Sequence, residues 1–391
     1  MDKQETNPNA TSRGPLDGIV VVSLEQAVAA PFATRQLADL GARVIKIERP
    51  GVGDLARGYD TTVNGLASHF VWLNRGKESI ELDAKSDDGR RVLLELIAKA
   101  DILVQNLAPG AADRLGIGTR QLKTTRPDLI TCDISGYGSG GSYEQKKAYD
   151  LLIQCESGLV SITGTPDVPS KVGLSIADIA TGMYAYTGLL TALLHRQQTG
   201  EGSNIEVSML EALGEWMGYP LLYTMYGGTA PARSGASHST IAPYGPFQAG
   251  DGFTVNLGLQ NEREWEKFCS IVLRQPETAR DPRFAGNANR VAHRRELDGL
   301  ITEAFSELSE AQLMQRLEEA QIACAQQRSV AQFAEHPQLK ERGRWRAVST
   351  PAGSIQALIP PVTVAGRQVQ MGAVPALGQH TDSILSWLSE A

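Results

Sequence analysis

Short apolar runs alternate with helical stretches through the first half of the chain, and this alternation constrains the fold most. Ile19–Leu24 (IVVVSL) is an apolar run, as expected of a strand that is covered on both faces. Pro31 opens a predicted helix that continues to Leu40, where Gly41 ends it. Further strand candidates are Val44–Glu48, Ser79–Asp83, Ile102–Asn106, Leu129–Ile134 and Asn204–Val207. The alternation predicts an α/β fold whose large, Rossmann-like domain is a parallel sheet with helices on its faces.

Composition divides the chain into five predicted segments. They are a disordered lead-in at 1–14, a large domain at 15–218, a crossover at 219–252, a small α+β domain at 253–340 and a C-terminal segment at 341–391. The lead-in is polar and has no apolar core, so it does not read as a signal peptide. Gly, Pro, Ser and Tyr accumulate without a period in the crossover, whereas the small domain is mainly helical.

Charge and motif content exclude several classes of function. The net charge of −7 gives no basic field for nucleic acid. The turn after the first strand candidate, EQAVAAP, lacks the GxGxxG pattern of a dinucleotide site, and no GxxxxGK[ST] occurs. The histidines show no metal-ligand spacing, so we expect no metal. We also expect no membrane span, and four scattered cysteines predict reduced thiols and a cytoplasmic location.

One carboxylate lies within the most apolar helical stretch. Asp178 is the only charged residue of the run Leu174–Leu194, and an acidic group in such a run is costly to bury without partners or a task. The residues alone leave two interpretations open. Ser175 and Asp178 stand where helix N-caps belong. Alternatively, Asp178 is a carboxylate nucleophile that is shielded from water.

A resemblance to a known family favours the nucleophile. The motifs that carry it are PLDGIVVVSLEQAVAAPFATRQLADLGARVIKIERPGVGD (15–54), NRGKESIELD (74–83), ILVQNLAPGAADRLGIG (102–118), ISGYG (134–138), GLSIADIATG (173–182), RQQTGEGSNIEVSMLEAL (196–213), DPRFAGNANRVAHRRELDGLI (281–301) and PALGQHTDSIL (375–385). In this order and spacing they resemble the class III CoA-transferases, the family of formyl-CoA transferase and carnitine CoA-transferase. The resemblance covers most of the chain.

The resemblance implies a reaction and places residues in it. Asp178 takes the position of the family's nucleophilic aspartate, which forms an acyl–aspartyl anhydride and then an aspartyl–CoA thioester. The positions that line the active site or its oxyanion pocket correspond to Val28, Ala29, Tyr149 and Gly258. The positions that contact coenzyme A correspond to Arg49, Lys77, Asn106, Leu107, Arg114 and Lys147. Coenzyme A is then a substrate, with no permanently bound cofactor, and the family implies an interlocked homodimer in which 341–391 returns to the large domain.

The resemblance also bears on the substrate. Formyl-CoA transferases carry glutamine at the position of Val28, which argues against formyl and oxalyl groups here. The segment RSGASHSTIAPYGPF (233–247) resembles branches that use succinyl-CoA and C4–C5 dicarboxylates such as itaconate, mesaconate or citramalate. In that case Arg233 and His238 would hold the distal carboxylate.

Three other functions stay open. An intramolecular transfer of coenzyme A between the two carboxylates of one dicarboxylate would use the same Asp178. The α-methylacyl-CoA racemases share the fold but carry their base, a histidine, at the position of Tyr149, and tyrosine is a poor base near neutral pH. A non-catalytic CoA-binding protein would keep the phosphate contacts and would not need Asp178.

Overall fold

The apolar runs form one parallel sheet in the computed structural model, which describes residues 14–390. The strands of this sheet are β1 (Val20–Leu24), β2 (Arg43–Glu48), β3 (Lys77–Glu81), β4 (Ile102–Gln105), β5 (Ile130–Ser135) and β6 (Asn204–Ser208). They lie in the order β3-β2-β1-β4-β5-β6, and each neighbouring pair is parallel. The predicted α/β class is therefore confirmed.

The chain reverses its direction across the sheet between β1 and β4. From β1 it proceeds outward through β2 and β3, and it then returns to β4 on the other side of β1. Such a switch point leaves a crevice at the carboxyl ends of the two strands, where open α/β sheets bind ligands. Leu24 and Gln105 pair at these ends, and they lead into the turn 25–28 and into Asn106 and Leu107.

The remaining elements complete the fold. The further strands are β7 (Tyr244–Gln248), β8 (Thr254–Gly258), β9 (Ala323–Gln326), β10 (Trp345–Thr350) and β11 (Gly353–Leu358). The helices are α1 (Ala29–Asp39), α2 (Ser68–Asn74), α3 (Asp87–Ala98), α4 (Ala111–Leu115), α5 (Thr119–Thr125), α6 (Asp150–Glu156), α7 (Leu159–Ile162), α8 (Ile176–Thr199), α9 (Met209–Trp216), α10 (Gly218–Gly227), α11 (Glu262–Lys267), α12 (Asn287–Ala292), α13 (Arg294–Ser306), α14 (Glu310–Ala320), α15 (Val330–Ala334), α16 (Pro337–Glu341) and α17 (Thr381–Ser389). Among residues 14–390, no helix has the length and apolar character needed to cross a membrane.

The first helix starts earlier than the sequence predicted. α1 begins at Ala29, two residues before Pro31. Proline is accepted throughout the first helical turn, because its missing N–H would have no partner within the helix there. The early start matters for the site, since it makes the Ala29 N–H the first free donor of α1.

Helices cover both faces of the parallel sheet, which explains its apolar strands. On one face, Leu37 of α1 and Leu189 of α8 pack into the core. On the other face, Leu93 of α3 and Ile384 of α17 do the same. All four side chains are fully buried. Burying each one contributes roughly 1.5–3 kcal/mol relative to leaving it exposed.

The described chain divides into two units. The first comprises residues 14–157, Gly173–Met217 and 338–390, and the second comprises Gly158–Val172 and Gly218–Pro337. The first unit holds the parallel sheet and an antiparallel hairpin of β10 and β11. The predicted lead-in, 1–14, lies outside the described residues except for Gly14.

The second unit is the smaller α+β part. Its sheet has the antiparallel order β7-β8-β9, and Trp265, Phe268 and Phe305 lie in its core. The stretch 219–252, predicted as a crossover, contributes α10 and β7 to this unit. Its aperiodic composition concealed one helix and one strand.

Candidate active site

The turn after β1 is held from two directions. The Gln26 N–H donates to Asn106 Oδ1, and Asn106 Nδ2 donates to the Gln26 carbonyl, both at 2.9 Å. The Ala27 N–H donates to Asp54 Oδ1 at 2.9 Å. Ala27 has a φ of 62°, which is unfavourable for a residue with a side chain. The turn is therefore fixed in a strained conformation of the kind that functional sites often contain.

A buried ionic network lies next to this turn. Lys46 Nζ contacts Asp54 Oδ2 at 2.7 Å and Glu25 Oε1 at 3.2 Å, and Lys77 Nζ donates to the same Glu25 oxygen at 2.6 Å. All four side chains are fully buried. Burial alone would raise the pKa of Glu25, but the two lysines outweigh it and lower the pKa to about 2. Glu25 therefore carries a negative charge, which lies between two lysine side chains.

A neighbouring helix caps the N-terminus of α8. Asp150, the first residue of α6, accepts hydrogen bonds at Oδ1 from the N–H groups of Ala177 (2.8 Å) and Asp178 (3.3 Å). Its other carboxylate oxygen accepts from Gln154 Nε2 at 2.6 Å. Because Asp150 supplies the cap, the Asp178 side chain is left for another purpose, although it lies in the first turn of α8. This arrangement weakens the interpretation of Asp178 as an N-cap.

The Asp178 carboxylate faces the start of α1. The backbone N–H of Ala29 is near enough to this carboxylate to lower its pKa. The two helices come this close because position 182 is glycine. A Cβ atom on Gly182 would lie 2.6 Å from the Ala29 carbonyl oxygen and 3.0 Å from a ring carbon of Phe32. Gly182 follows Asp178 by one helical turn, so both residues lie on the face of α8 that meets α1.

The surroundings of Asp178 disfavour its charge. Burial, together with the negative charge of Asp150, raises the pKa of Asp178 to about 7, and the Ala29 N–H opposes this shift. A carboxyl group whose pKa is raised by desolvation and by a specific charged partner is a candidate functional group. Within residues 14–390, no group of three or more His, Cys, Asp or Glu side chains is arranged to hold a metal ion.

One tyrosine lies near this carboxylate, and a second lies near the first. Tyr149, which directly precedes α6, is 68% exposed. Tyr59 is 51% exposed, and its ring meets the edge of the His69 ring at 5.6 Å between centroids. Burial raises the pKa of Tyr59, and the charges of Asp54 and Asp178 and the proximity of Tyr149 raise it further. Tyr59 is therefore close enough to Asp178 to sense its charge.

The residues predicted to contact coenzyme A lie in different environments. Arg49, Arg114 and Lys147 are exposed, as phosphate ligands must be. Arg49 Nη2 also donates to the Gly53 carbonyl at 3.3 Å. Asn106 and Leu107 are partly buried at the switch point, where Asn106 clamps the turn after β1.

Lys77 does not lie at the surface. Its Nζ donates to Glu25 Oε1, to Asn74 Oδ1 at 3.0 Å and to the Pro31 carbonyl at 3.1 Å. The prediction of Lys77 as an exposed phosphate ligand is wrong, because a fully buried ammonium group with three acceptors has no donor left for a phosphate.

Three predicted residues belong to the second unit. Gly258 ends β8 under the ring of Tyr244, because a Cβ atom there would lie 3.0 Å from that ring. His238 stacks on the same ring at 5.2 Å, and its Nδ1 accepts from the Thr240 N–H at 3.2 Å. The Arg233 guanidinium donates to three backbone carbonyls, those of Ser161, Thr165 and Pro166. Arg233 thus ties the 158–172 segment to the rest of its unit and has few N–H groups left for a substrate.

Four further residues of the first unit belong to the site but were not predicted from the sequence: Asp54, Tyr59, Asp150 and Gly182. Only Asp150 had a local signal, since an acidic residue directly after Tyr149 could open a helix. The others gain their importance from contacts between elements that are distant in the chain, and no periodicity reports such contacts.

Comparisons with known proteins agree with the family resemblance found in the sequence. The sequence pattern described as CoA-transferase family III matches residues 16–381. The acetyl-CoA:oxalate CoA-transferase of Acetobacter aceti is 38% identical, over 86% of this chain and 87% of its own. The succinyl-CoA:glutarate CoA-transferase of Mus musculus is 33% identical, over 96% and 86%. The succinyl-CoA:mesaconate CoA-transferase of Haloarcula hispanica is 32% identical, over 95% and 96%.

A solved structure is also similar over its full length. The crystal structure of a CaiB/BaiF family protein from Brucella suis is 33% identical and superposes with a TM-score of 0.84. The match covers 96% of this chain and 100% of that one.

Proposed function

Because the chain belongs to CoA-transferase family III and is a CoA-transferase, we propose that it moves coenzyme A from succinyl-CoA to a C4–C5 dicarboxylate such as itaconate. Asp178 is the covalent carrier in this proposal. The observation that supports it most directly is the placement of the Asp178 carboxylate at the N-terminus of α1, where the Ala29 N–H acts on its pKa while Asp150 caps its own helix.

The first half of the reaction loads the carrier. The Asp178 carboxylate attacks the thioester carbonyl of the donor, which breaks the C–S bond and releases coenzyme A as its thiolate. The product is a mixed anhydride of Asp178 and the donor acid. The thiolate then attacks the aspartyl carbonyl, which forms an aspartyl–CoA thioester and expels the donor acid as its carboxylate.

The second half runs the same steps in reverse with the acceptor. The acceptor carboxylate attacks the aspartyl thioester and releases the thiolate, which then attacks the acceptor's carbonyl. The new acyl-CoA forms, and Asp178 regains its carboxylate. The two tetrahedral intermediates that form at the aspartyl carbonyl place negative charge on an oxygen of Asp178, where the Ala29 N–H and the positive end of the α1 dipole stabilise it. Val28, Tyr149 and Gly258 remain predicted lining residues.

Relatives support a dicarboxylate as the acceptor. Two of the relatives above carry succinyl-CoA in their names, with glutarate or mesaconate as the second acid. A third names acetyl-CoA and oxalate, so the argument from Val28 against oxalyl groups needs a direct test. For the distal carboxylate, His238 is the stronger of the two predicted ligands, because Arg233 already serves three carbonyls.

Phosphate binding by Arg49, Arg114 and Lys147 stays part of the proposal, supported by their exposure. Coenzyme A is a substrate here, and no permanently bound cofactor is proposed. A homodimer is also proposed. Its support is the exposure of apolar side chains along α10, where Met225 is 64% and Tyr226 is 83% exposed. A cytoplasmic location is proposed from the four free cysteines.

The experiment is an acceptor screen in deuterated water. Succinyl-CoA is incubated with the protein and, separately, with itaconate, mesaconate, citramalate, malate, glutarate, oxalate, formate or carnitine, and the thioesters are read by mass spectrometry. We expect a new, undeuterated acyl-CoA with a C4–C5 dicarboxylate. Asp178→Ala should abolish it, whereas Asp87→Ala, which changes the first turn of α3, should not.

The alternatives predict different outcomes when other thioesters are incubated with the protein in the same deuterated water. Intramolecular transfer would isomerise a dicarboxylate monothioester when no second acid is present. Deuterium uptake at the α-carbon of a 2-methylacyl-CoA would support a racemase. Normal turnover by Asp178→Ala would show that the assignment of the carrier is wrong.

A further inference from the structure

We propose that Asp54 is a positioning residue for the transfer reaction: it holds the strained turn 25–28 so that the Ala29 N–H reaches the Asp178 carboxylate. The inference rests on the proposed role of Asp178. It assigns a task in the reaction to a buried ionic network that otherwise reads as structural.

The carboxylate of Asp54 is fully used by this turn and its support. Oδ1 accepts the N–H groups of Ala27 and Ala56, both at 2.9 Å, and Oδ2 contacts Lys46 Nζ at 2.7 Å. The backbone of Asp54 is fixed as well, since its N–H donates to Glu48 Oε2 at 2.9 Å. Asp54 therefore connects the turn rigidly to β2, which carries Lys46 and Glu48.

The turn needs such a hold because its conformation is unfavourable. Ala27 adopts a φ of 62°, and the hydrogen bond that stabilises this state is the one from its own N–H to Asp54. Without that acceptor, Ala27 would lose a partly buried hydrogen bond and could relax toward negative φ. Such a relaxation would redirect the chain directly before Ala29.

The other end of the turn, at Ala29, packs tightly against α8. The carbonyl of Ala29 lies so close to α8 that only glycine fits at position 182. A rotation of the turn would therefore displace the Ala29 N–H from Asp178 rather than be absorbed by a gap. The loss of this donor would destabilise the charged carboxylate and each oxyanion formed on it.

The charged and titratable groups that face Asp178 are Asp150 from α6 and Tyr59 from the segment after Asp54. Asp54 itself also contributes negative charge near Tyr59. Charge and position must therefore be separated by experiment. Asp54→Asn removes the charge but keeps an oxygen that can accept the Ala27 N–H, whereas Asp54→Ala removes both.

The chain offers a matched control at the opposite end of β1. Asp101 Oδ2 accepts the Val20 N–H at 2.8 Å, and its Oδ1 pairs with Arg196 at 2.9 Å. Asp101→Ala therefore removes the same kind of support from the same strand, far along it from Ala29.

The test measures kcat, KM and the pH profile of kcat/KM for wild type and the three variants. We expect Asp54→Ala to lower kcat by about 10- to 100-fold with little change in KM, and to shift the rise of kcat/KM to higher pH. Asp54→Asn should restore most of kcat and the wild-type profile. Asp101→Ala should lower the unfolding temperature and leave both unchanged.

Three results would overturn the proposal: a wild-type profile and kcat for Asp54→Ala, an equal shift for Asp54→Asn, or an equal shift for Asp101→Ala. If Asp54→Ala does not fold, Asp54→Asn decides, supported by amide hydrogen exchange across 25–32, which should match wild type. Asp178→Ala is included in the series, because its turnover tests the proposed function separately.

Discussion

Two groups of carboxylates lie on either side of the Ala27–Ala29 segment, and they have opposite surroundings. On one side, Glu25 and Asp54 each contact a buried lysine. On the other side, Asp178 shares its site with a second carboxylate, that of Asp150. The carboxylates of the first group form ion pairs and hydrogen bonds that hold the backbone, whereas the second group contains the carboxylate that is proposed to react. The turn 25–28 connects the rigid ionic network to the reactive carboxylate.

The two groups respond to pH in opposite directions. The pKa of Glu25 is lowered from 4.5 to about 2, so its contribution to stability is present above pH 4.5 and is lost as the pH falls toward 2. The pKa of Asp178 is raised from 3.8 to about 7. Its contribution is therefore fully present below pH 3.8 and is lost as the pH rises through 7. Ionising the reactive carboxylate costs folding stability.

The largest expected effect comes from neutralising Asp178. Asp178→Asn should lower turnover by about 10⁴-fold or more, because an amide cannot form the anhydride. The same variant should unfold at a higher temperature than wild type, by a margin that grows between about pH 4 and pH 7, because asparagine does not ionise. Thermal unfolding at several pH values checks this, and a margin that shrinks with pH would contradict the raised pKa.

The second effect tests the carboxylates of Glu25 and Asp54, which contact buried lysines. Lys46→Met should destabilise the protein by about 3–5 kcal/mol, because it leaves Asp54 and part of the Glu25 charge buried without their partner. Denaturant unfolding measures the loss. The control is Lys146→Met, which removes an exposed partner of Glu156 and should leave the unfolding midpoint near that of wild type. Equal losses would show that burial does not distinguish the two pairs.

The third effect tests the closeness of α1 and α8. Gly182→Ala should cost about 1–3 kcal/mol, since its Cβ atom would collide with the Ala29 carbonyl. It should also lower kcat, because the Ala29 N–H moves with α1. Gly214→Ala, in α9 with open space around its Cβ position, should be neutral or stabilising by up to about 1 kcal/mol. Equal stability and equal kcat for the two variants would show that the close approach of α1 and α8 affects neither folding nor turnover.

The smallest effect sharpens the role of Asp150. Asp150→Asn keeps an oxygen for the Ala177 N–H but removes the negative charge that helps to raise the pKa of Asp178. The rise of kcat/KM should therefore move to lower pH, with activity below about pH 6 increased several-fold over wild type. An unchanged profile from about pH 5 to pH 9 would show that burial alone sets this pKa.

Most of the parallel sheet could be predicted from the sequence, because its strands are buried in a regular pattern. The run Ile19–Leu24 became β1 because helices cover both faces of its sheet, and that coverage leaves a mark in composition. The helix within 219–252 was not predicted from the sequence, because a helix as exposed as α10 lacks the polar face that normally reveals a surface helix.

The site was legible only in part. Asp178 could be proposed because an isolated charge in an apolar run is unusual, and the family resemblance supported it. The prediction that Lys77 is an exposed phosphate ligand failed because the sequence shows a charge but not its burial. Glu25, which pairs with Lys77, directly follows a different strand. The roles of Asp54 and Gly182 depend on contacts between segments that are distant in the chain, and the sequence alone does not show such contacts.

The central claim is that Asp178 carries the acyl group covalently, and one measurement tests it directly. The acceptor acid is labelled with oxygen-18 in its carboxylates and allowed a single turnover with excess protein and unlabelled succinyl-CoA. The account predicts that the label enters the Asp178 carboxylate, where peptide mass spectrometry detects it, and that the released succinate carries none. Label in the succinate with an unlabelled Asp178 would mean that the acceptor attacks the donor directly, and the covalent role of Asp178 would be refuted.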